Sequence, residues 1–133
     1  MVMFTIAWQA PKMISIVLSS ARFAVVWICN PNNPTGRSIH RNRLLDLFRE
    51  FPKTVFVIDE AYIEFTNDVE SLIDCEFENL IVLRSMTKAY AMAGLRLGYA
   101  VMGHALHLAI RGRRAPWSVN SIAQVAGVEA ILD

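Results

Sequence analysis

Residues 23–60 read FAVVWICNPNNPTGRSIHRNRLLDLFREFPKTVFVIDE. Two short, β-branched apolar runs, Phe23–Cys29 and Thr54–Ile58, stop abruptly in polar residues, as buried strands do. The first ends at Asn30–Gly36 and the second at Asp59-Glu60. Between them, Ile39–Phe51 carries Leu44, Leu45, Leu47, Phe48 and Phe51 on one side and Arg41, Arg43, Asp46, Arg49 and Glu50 on the other. That spacing is an amphipathic helix, with Ser38 expected as its N-cap and Pro52 as its stop. Strand, helix, strand is the βαβ unit of a parallel sheet.

Working outward, Leu80–Leu83 and Leu97–Met102 read as two further strands, ending at Arg84-Ser85 and at Gly103. Unbroken apolar character predicts strands covered on both faces. Ala105–Arg111 has helical spacing and ends in the basic cluster Arg111-Gly112-Arg113-Arg114. After Pro116, helical spacing resumes at Val119, Ile122, Ala123, Ala126 and Ala130, and both helices are expected to pack on the sheet. The fold class is therefore α/β: a partial, mostly parallel sheet with flanking helices. Residues 1–21 stay unassigned, because Met1–Ser20 is apolar without a clean period, and residues 22–133 form the domain.

The 133 residues, 54% of them apolar and 19% charged, suit one globular domain rather than two. A formal charge of +1 lacks the basic excess of a nucleic-acid binder. Cys29 and Cys75 match no metal-ligand spacing and are too few for a disulfide framework, so inert thiols in a reducing, cytoplasmic setting are expected. His40, His104 and His107 show no ligand pattern, and no metal is expected. The uncharged stretch Leu97–Ile110 falls short of the roughly 18 apolar residues of a membrane span. Met1–Pro11 has no positive flank ahead of it, so neither a signal peptide nor membrane contact is expected.

In parallel sheets, ligands bind beyond the carboxyl ends of the strands. Here those ends carry Asn30–Gly36 (NPNNPTG), Asp59-Glu60-Ala61-Tyr62 and Ser85-Met86-Thr87-Lys88. An amide, a carboxylate with a phenol, and a hydroxyl pair with an amine would face one ligand. Those groups suit a phosphorylated pyridine aldehyde: an amine condenses with the aldehyde, a carboxylate keeps a ring nitrogen protonated, and hydroxyls with a guanidinium hold the phosphate. Arg96, eight residues past Lys88 and just inside the next strand, is placed to join them.

These motifs, with Ala93-Gly-Leu-Arg-Leu-Gly-Tyr99, resemble the fold-type I pyridoxal-phosphate enzymes of aminotransferase class I/II, in the group of histidinol-phosphate aminotransferase. The resemblance runs from about Arg22 to the C-terminus. It implies pyridoxal 5'-phosphate as cofactor and Lys88 as the lysine that forms the aldimine and moves the proton at the substrate's Cα. Asp59 would pair with the pyridinium nitrogen, Tyr62 and Asn33 with the phenolic oxygen, and Ser85, Thr87 and Arg96 with the phosphate. Pro116-Trp-Ser-Val-Asn120 resembles instead the threonine-phosphate decarboxylases of cobalamin biosynthesis. Both groups take a phosphorylated amino compound as substrate, and Arg111, Arg113, Arg114 and Asn120 are candidates for its phosphate. Homodimers are expected of the full-length family.

Each residue has a plainer reading taken singly. Lys88 alone is a solvated surface lysine, Asp59 a strand-end carboxylate, Asn33 and Gly36 a tight turn, and Ser85 and Thr87 a helix cap. The arginine cluster reads as a solvated basic edge. Family members are far longer, and the resemblance covers only the middle of their large domain. It leaves out a glycine-containing phosphate loop, an aromatic that stacks on the ring, and a small domain bearing the arginine for the substrate carboxylate. A truncated, non-catalytic remnant that only self-associates is the competing expectation.

Overall fold

The computed structural model describes residues 3–6 and 24–132. One five-stranded sheet runs β1 (Met3–Ile6), β2 (Val25–Cys29), β3 (Val55–Asp59), β4 (Leu80–Ser85), β5 (Gly98–Met102), each strand beside its neighbour in sequence. β1 to β4 are parallel and β5 is antiparallel to β4. The sheet is thus mostly parallel, as expected. β1 adds a strand from the stretch that sequence left unassigned, while residues 7–23, Phe23 of the expected first strand among them, lie outside the described residues.

Helix α1 (Arg41–Glu50) covers one face of the sheet. Its buried Leu44, Leu47 and Phe48 pack on Val26, Ile28, Phe56, Ile58, Leu80 and Val82, closed by Ile39 and Leu72. Phe48 meets the Phe56 ring at 4.9 Å and the Phe77 ring, edge on, at 5.5 Å. Pro52 follows the helix end as expected, but the N-cap is His40, whose side chain makes no capping bond. The helix start is fixed from across the loop instead: Asn30 Oδ1 accepts from Ile39 N at 2.7 Å and Asn30 Nδ2 donates to Ile39 O at 3.1 Å. Arg41, expected on the solvated side, reaches over to Asp74 at 2.7 Å and also donates to the Ser71 carbonyl. That contact holds the Asp74 carboxyl below its usual range.

The far end of α1 depends on one amide. Asn79 Nδ2 donates to the carbonyls of Phe48 and Phe51 at 3.1 and 3.2 Å, groups that the helix terminus leaves without intrahelical partners, and to that of Thr54, just before β3, at 3.1 Å. Asn79→Ala is expected to cost about 1–3 kcal/mol, read as a lowered urea midpoint at unchanged slope.

Coverage on both faces holds for the middle of β3 and the start of β4, where Phe56, Val57, Ile58 and Leu80, Ile81, Val82 are buried in succession, but not for β2 and β5. In β2 only alternate residues are buried, and β5 has no buried residue at all. Helix α2 (His104–Arg111) buries none of its side chains either, contrary to the expected packing. Helix α3 (Ser121–Leu132) buries only Ala123 and Gly127. A Cβ at Gly127 would come within 2.4 Å of Leu97 Cδ2, so the missing side chain is what lets α3 approach. Its other apolar residues, Ile122, Val125, Val128, Ile131 and Leu132, face outward. Among the described residues no helix is long and apolar enough to cross a membrane.

Candidate functional site

Because β2, β3 and β4 are parallel, their carboxyl ends fall on one edge of the sheet. Cys29 pairs with Asp59, and Asp59 with Leu83. The antiparallel β5 begins at that same edge, where Gly98 pairs with Ser85. A Cβ on Gly98 would stand 2.8 Å from the Arg84 carbonyl oxygen, so glycine is what allows this close pairing.

From β2 the chain enters a tight loop. Gly36 N donates to Asn32 O at 2.8 Å, Thr35 Oγ1 to Asn32 Oδ1 at 2.8 Å, and Gly36 takes a φ of +69°, which suits glycine. The turn reading of Gly36 is therefore correct, and the same turn holds out Asn33. Its Nδ2 donates to the Tyr62 hydroxyl at 3.3 Å, joining two strand ends. Beneath the loop, Cys29 is half-buried, with its thiol directed at the Pro31 carbonyl at 3.2 Å. Burial, more than the nearby Asp59 charge, pushes the thiol's pKa up. Cys75 is also half-buried and also raised by burial, so both thiols stay protonated and poorly nucleophilic near neutral pH.

At the end of β3, Asp59 is half-buried and its Oδ1 accepts from Ala61 N at 3.1 Å. That bond turns the chain toward Tyr62. From β4, Ser85 Oγ and Thr87 Oγ1 lie 2.8 Å apart, and Lys88 Nζ donates to Ser85 Oγ at 3.1 Å. No α-helix follows them, so the helix-cap reading of this pair does not hold. Lys88 Nζ also stands 5.8 Å from the Tyr62 ring centroid. Amide, phenol, amine and two hydroxyls thus form one connected set drawn from three strand ends.

Arg96 is brought to the edge only in part. It precedes β5 rather than lying inside it, two residues before Gly98, which pairs with Ser85. Its guanidinium, however, donates to the Ala93 carbonyl at 3.1 Å. Arg96 and Ala91 both have φ of 54°, a conformation uncommon for residues with a side chain, and they bracket the segment between Lys88 and β5. Arg111 and Arg114 line two clefts with Trp117, Ser118 and Tyr99, apart from Lys88 and Asp59. Asn120 has a structural duty that the sequence reading missed. Its Oδ1 caps α3 by accepting from Ala123 N at 2.8 Å, and its Nδ2 reaches Leu95 O.

Sequence reasoning also passed over Glu60 and Arg84. Glu60 is fully buried, accepting from Ser71 Oγ at 2.6 Å, Leu72 N at 2.8 Å and Arg84 Nη1 at 3.1 Å. A carboxylate ending an apolar strand, with an arginine ending the next, was the available signal. Among the described residues, no group of three or more His, Cys, Asp and Glu side chains is arranged to hold a metal ion.

Comparison with known proteins agrees with this geometry. A family model described as aminotransferase class I and II matches residues 12–133. Histidinol-phosphate aminotransferase of Limosilactobacillus fermentum is 43% identical over 115 residues, covering 82% of this chain and 32% of that protein. The crystal structure of L-threonine-O-3-phosphate decarboxylase from Porphyromonas gingivalis superposes with a TM-score of 0.74 at 35% identity, covering 82% of this chain and 36% of that one. Histidinol-phosphate aminotransferase from Sinorhizobium meliloti, solved in complex with pyridoxal-5'-phosphate, gives 0.83 at 26% identity, with coverage of 93% and 35%. The chain spans about a third of the length of the curated relatives it matches.

Proposed function

The chain belongs to the aminotransferase class I and II family, and from that premise we propose that its strand-end edge holds pyridoxal 5'-phosphate and serves amino-group chemistry on a phosphorylated amino compound such as histidinol phosphate. One observation carries this reading: Asn33, Tyr62, Lys88, Ser85 and Thr87 form a single contact set beside Asp59, although they come from three separate strands. The donor set fits the cofactor. Asp59 supplies an anion for the ring nitrogen, Asn33 and Tyr62 a donor pair for the phenolic oxygen, and Ser85 and Thr87 two hydroxyls for the phosphate.

When bound, the cofactor's protonated ring withdraws electrons from the bonds at the substrate's Cα. The chain's own residues orient the participants. Asp59 keeps the proton on the ring nitrogen. Lys88, tethered by Ser85 and standing by the phenol, presents its amine at the aldehyde end and then carries the proton at Cα. Arg96 lies two residues before β5, which starts at the strand-end edge, and a side-chain rotation away from the Ala93 carbonyl would free its guanidinium for the phosphate.

Incubation with pyridoxal phosphate, borohydride reduction and peptide mass mapping tests the reading. A pyridoxyl mass on Lys88 is expected; labelling elsewhere, or none, overturns it. The similarity to the threonine-phosphate decarboxylase favours a second substrate reading, with Arg111, Arg114 and Asn120 toward the substrate phosphate. Release of carbon dioxide from threonine phosphate, against amino transfer from histidinol phosphate, decides between them. The outward-facing apolar residues of α3 favour a third reading, a non-catalytic chain that self-associates. Turnover of either substrate that Lys88→Ala abolishes refutes it.

A further inference from the structure

Arg84 closes β4, one residue before Ser85, and its guanidinium grips two carboxylates: Nη1 meets Glu60 Oε2 at 3.1 Å and Nη2 meets Glu64 Oε1 at 3.3 Å. Glu60 and Glu64 flank Tyr62. The arginine side chain is 14% exposed, Glu60 is fully buried and Glu64 is 25% exposed, so the grip lies largely out of water. Its Nε is buried with no hydrogen-bond partner, which leaves the two terminal nitrogens to do the holding. Glu60 extends the hold further, since it also ties down Ser71 and Leu72.

From these contacts we infer that Arg84 is a positioning residue for the cofactor edge, an inference that rests on the function proposed above. The strand that holds the fork passes directly into Ser85, Thr87 and Lys88. The residues held by the fork bracket the phenol. Side chains alternate along a strand, so Arg84 points to the face opposite Ser85, where it lines the cleft of Tyr99, Arg111 and Arg114 rather than the contact set of Lys88. A rigid pyridine ring fixes the separation between its phenolic oxygen and its phosphate. The protein must therefore fix the separation between Tyr62 and the Ser85–Lys88 segment, and the planar fork of arginine spans both anchors at once. A lysine, as a single point charge, can hold only one.

The test uses the full chain and pyridoxal phosphate as the probe, with three variants. Arg84→Lys keeps the charge beside Glu60 and gives up the fork. Glu64→Gln weakens only the outer arm, where little stability is at stake. Arg84→Met removes the charge. Readouts are the cofactor's dissociation constant by absorbance, the pH midpoint of the bound cofactor's visible band, and the melting temperature of the cofactor-free chain. For Arg84→Lys and Glu64→Gln the expected result is about tenfold weaker binding and a displaced pH midpoint, because a small misplacement of a contacting group is costly while the fold persists. Arg84→Met should show both effects and a lowered melting temperature. If Arg84→Lys and Glu64→Gln bind with unchanged affinity and unchanged midpoint, or if binding falls only with the folded fraction, Arg84 is merely structural and the inference fails. A wild-type chain that takes no pyridoxyl label on Lys88 overturns the proposed function as well. A labelled wild type beside unmoved variants overturns this inference alone.

Discussion

Lys88→Ala is expected to abolish the borohydride-fixed pyridoxyl mass and to leave the melting temperature essentially unchanged. The fold has little stake in this side chain: Lys88 is exposed and its hydrogen bond is to Ser85, at 3.1 Å. Surface substitutions of this kind usually change stability by no more than about 0.5 kcal/mol. The proposed chemistry, by contrast, depends on it wholly, because a methyl group cannot condense with an aldehyde. The chain supplies its own controls in Lys12 and Lys53, its only other lysines. Lys88→Arg sharpens the result, since it keeps the positive charge near Tyr62 and has no amine to condense. Both variants should be unlabelled. Mass equal to wild type in either would mean that Lys12 or Lys53 reacts, and that the contact set at the strand ends is not the cofactor's.

Glu60→Ala has the largest expected effect on stability. Removing one partner of a buried ion pair leaves the other desolvated and uncompensated, typically at about 3–5 kcal/mol. Here Arg84 would keep only Glu64, and Ser71 Oγ and Leu72 N would lose their acceptor. A domain whose total stability is of order 5–15 kcal/mol would be brought near its unfolding threshold. Urea denaturation followed by circular dichroism measures the loss. Replacing both members together, Glu60→Leu with Arg84→Met, should recover much of it, because no buried charge is then left alone. Recovery of fold without recovery of cofactor affinity would separate holding the chain together from holding the site in place.

The strands and helices were legible because their signals are local. Val55–Asp59 and α1 sit within a residue or two of where apolar runs and helical spacing put them. Motif order likewise carried the edge, and Asn33, Tyr62, Ser85, Thr87 and Lys88 do meet there. What sequence did not show was set by partners distant in the chain. The cap of α1 is governed by Asn30, reaching Ile39 from across a loop, so Ser38 was credited with work it does not do. The burial of Glu60 was not legible, since nothing local says that Ser71 and Leu72 will fold over it. Asn120 has a second duty as the cap of α3, which its place in a motif did not show. The reversed direction of β5 follows from what joins it to β4. Residues 86–97 hold only a single short helical turn, Ala93–Leu95, where a parallel return usually needs a full crossover.

That reversal divides the edge into two halves with different polymer physics. Ser85, Thr87, Lys88 and Arg96 lie on one hairpin closed by residues 86–97, whereas Asp59, Tyr62 and Asn33 join them only through parallel pairings that close about twofold longer connections, residues 60–79 and 30–54. Loop closure grows more costly with length, and contacts of high sequence separation form late and are released early. The hydroxyls and the amine are therefore neighbours by chain connectivity alone, while the carboxylate and phenol are neighbours only as long as the parallel core stands. Under the function proposed above, the residues assigned to the phosphate are held together locally by the chain, and those assigned to the ring only by the whole parallel core.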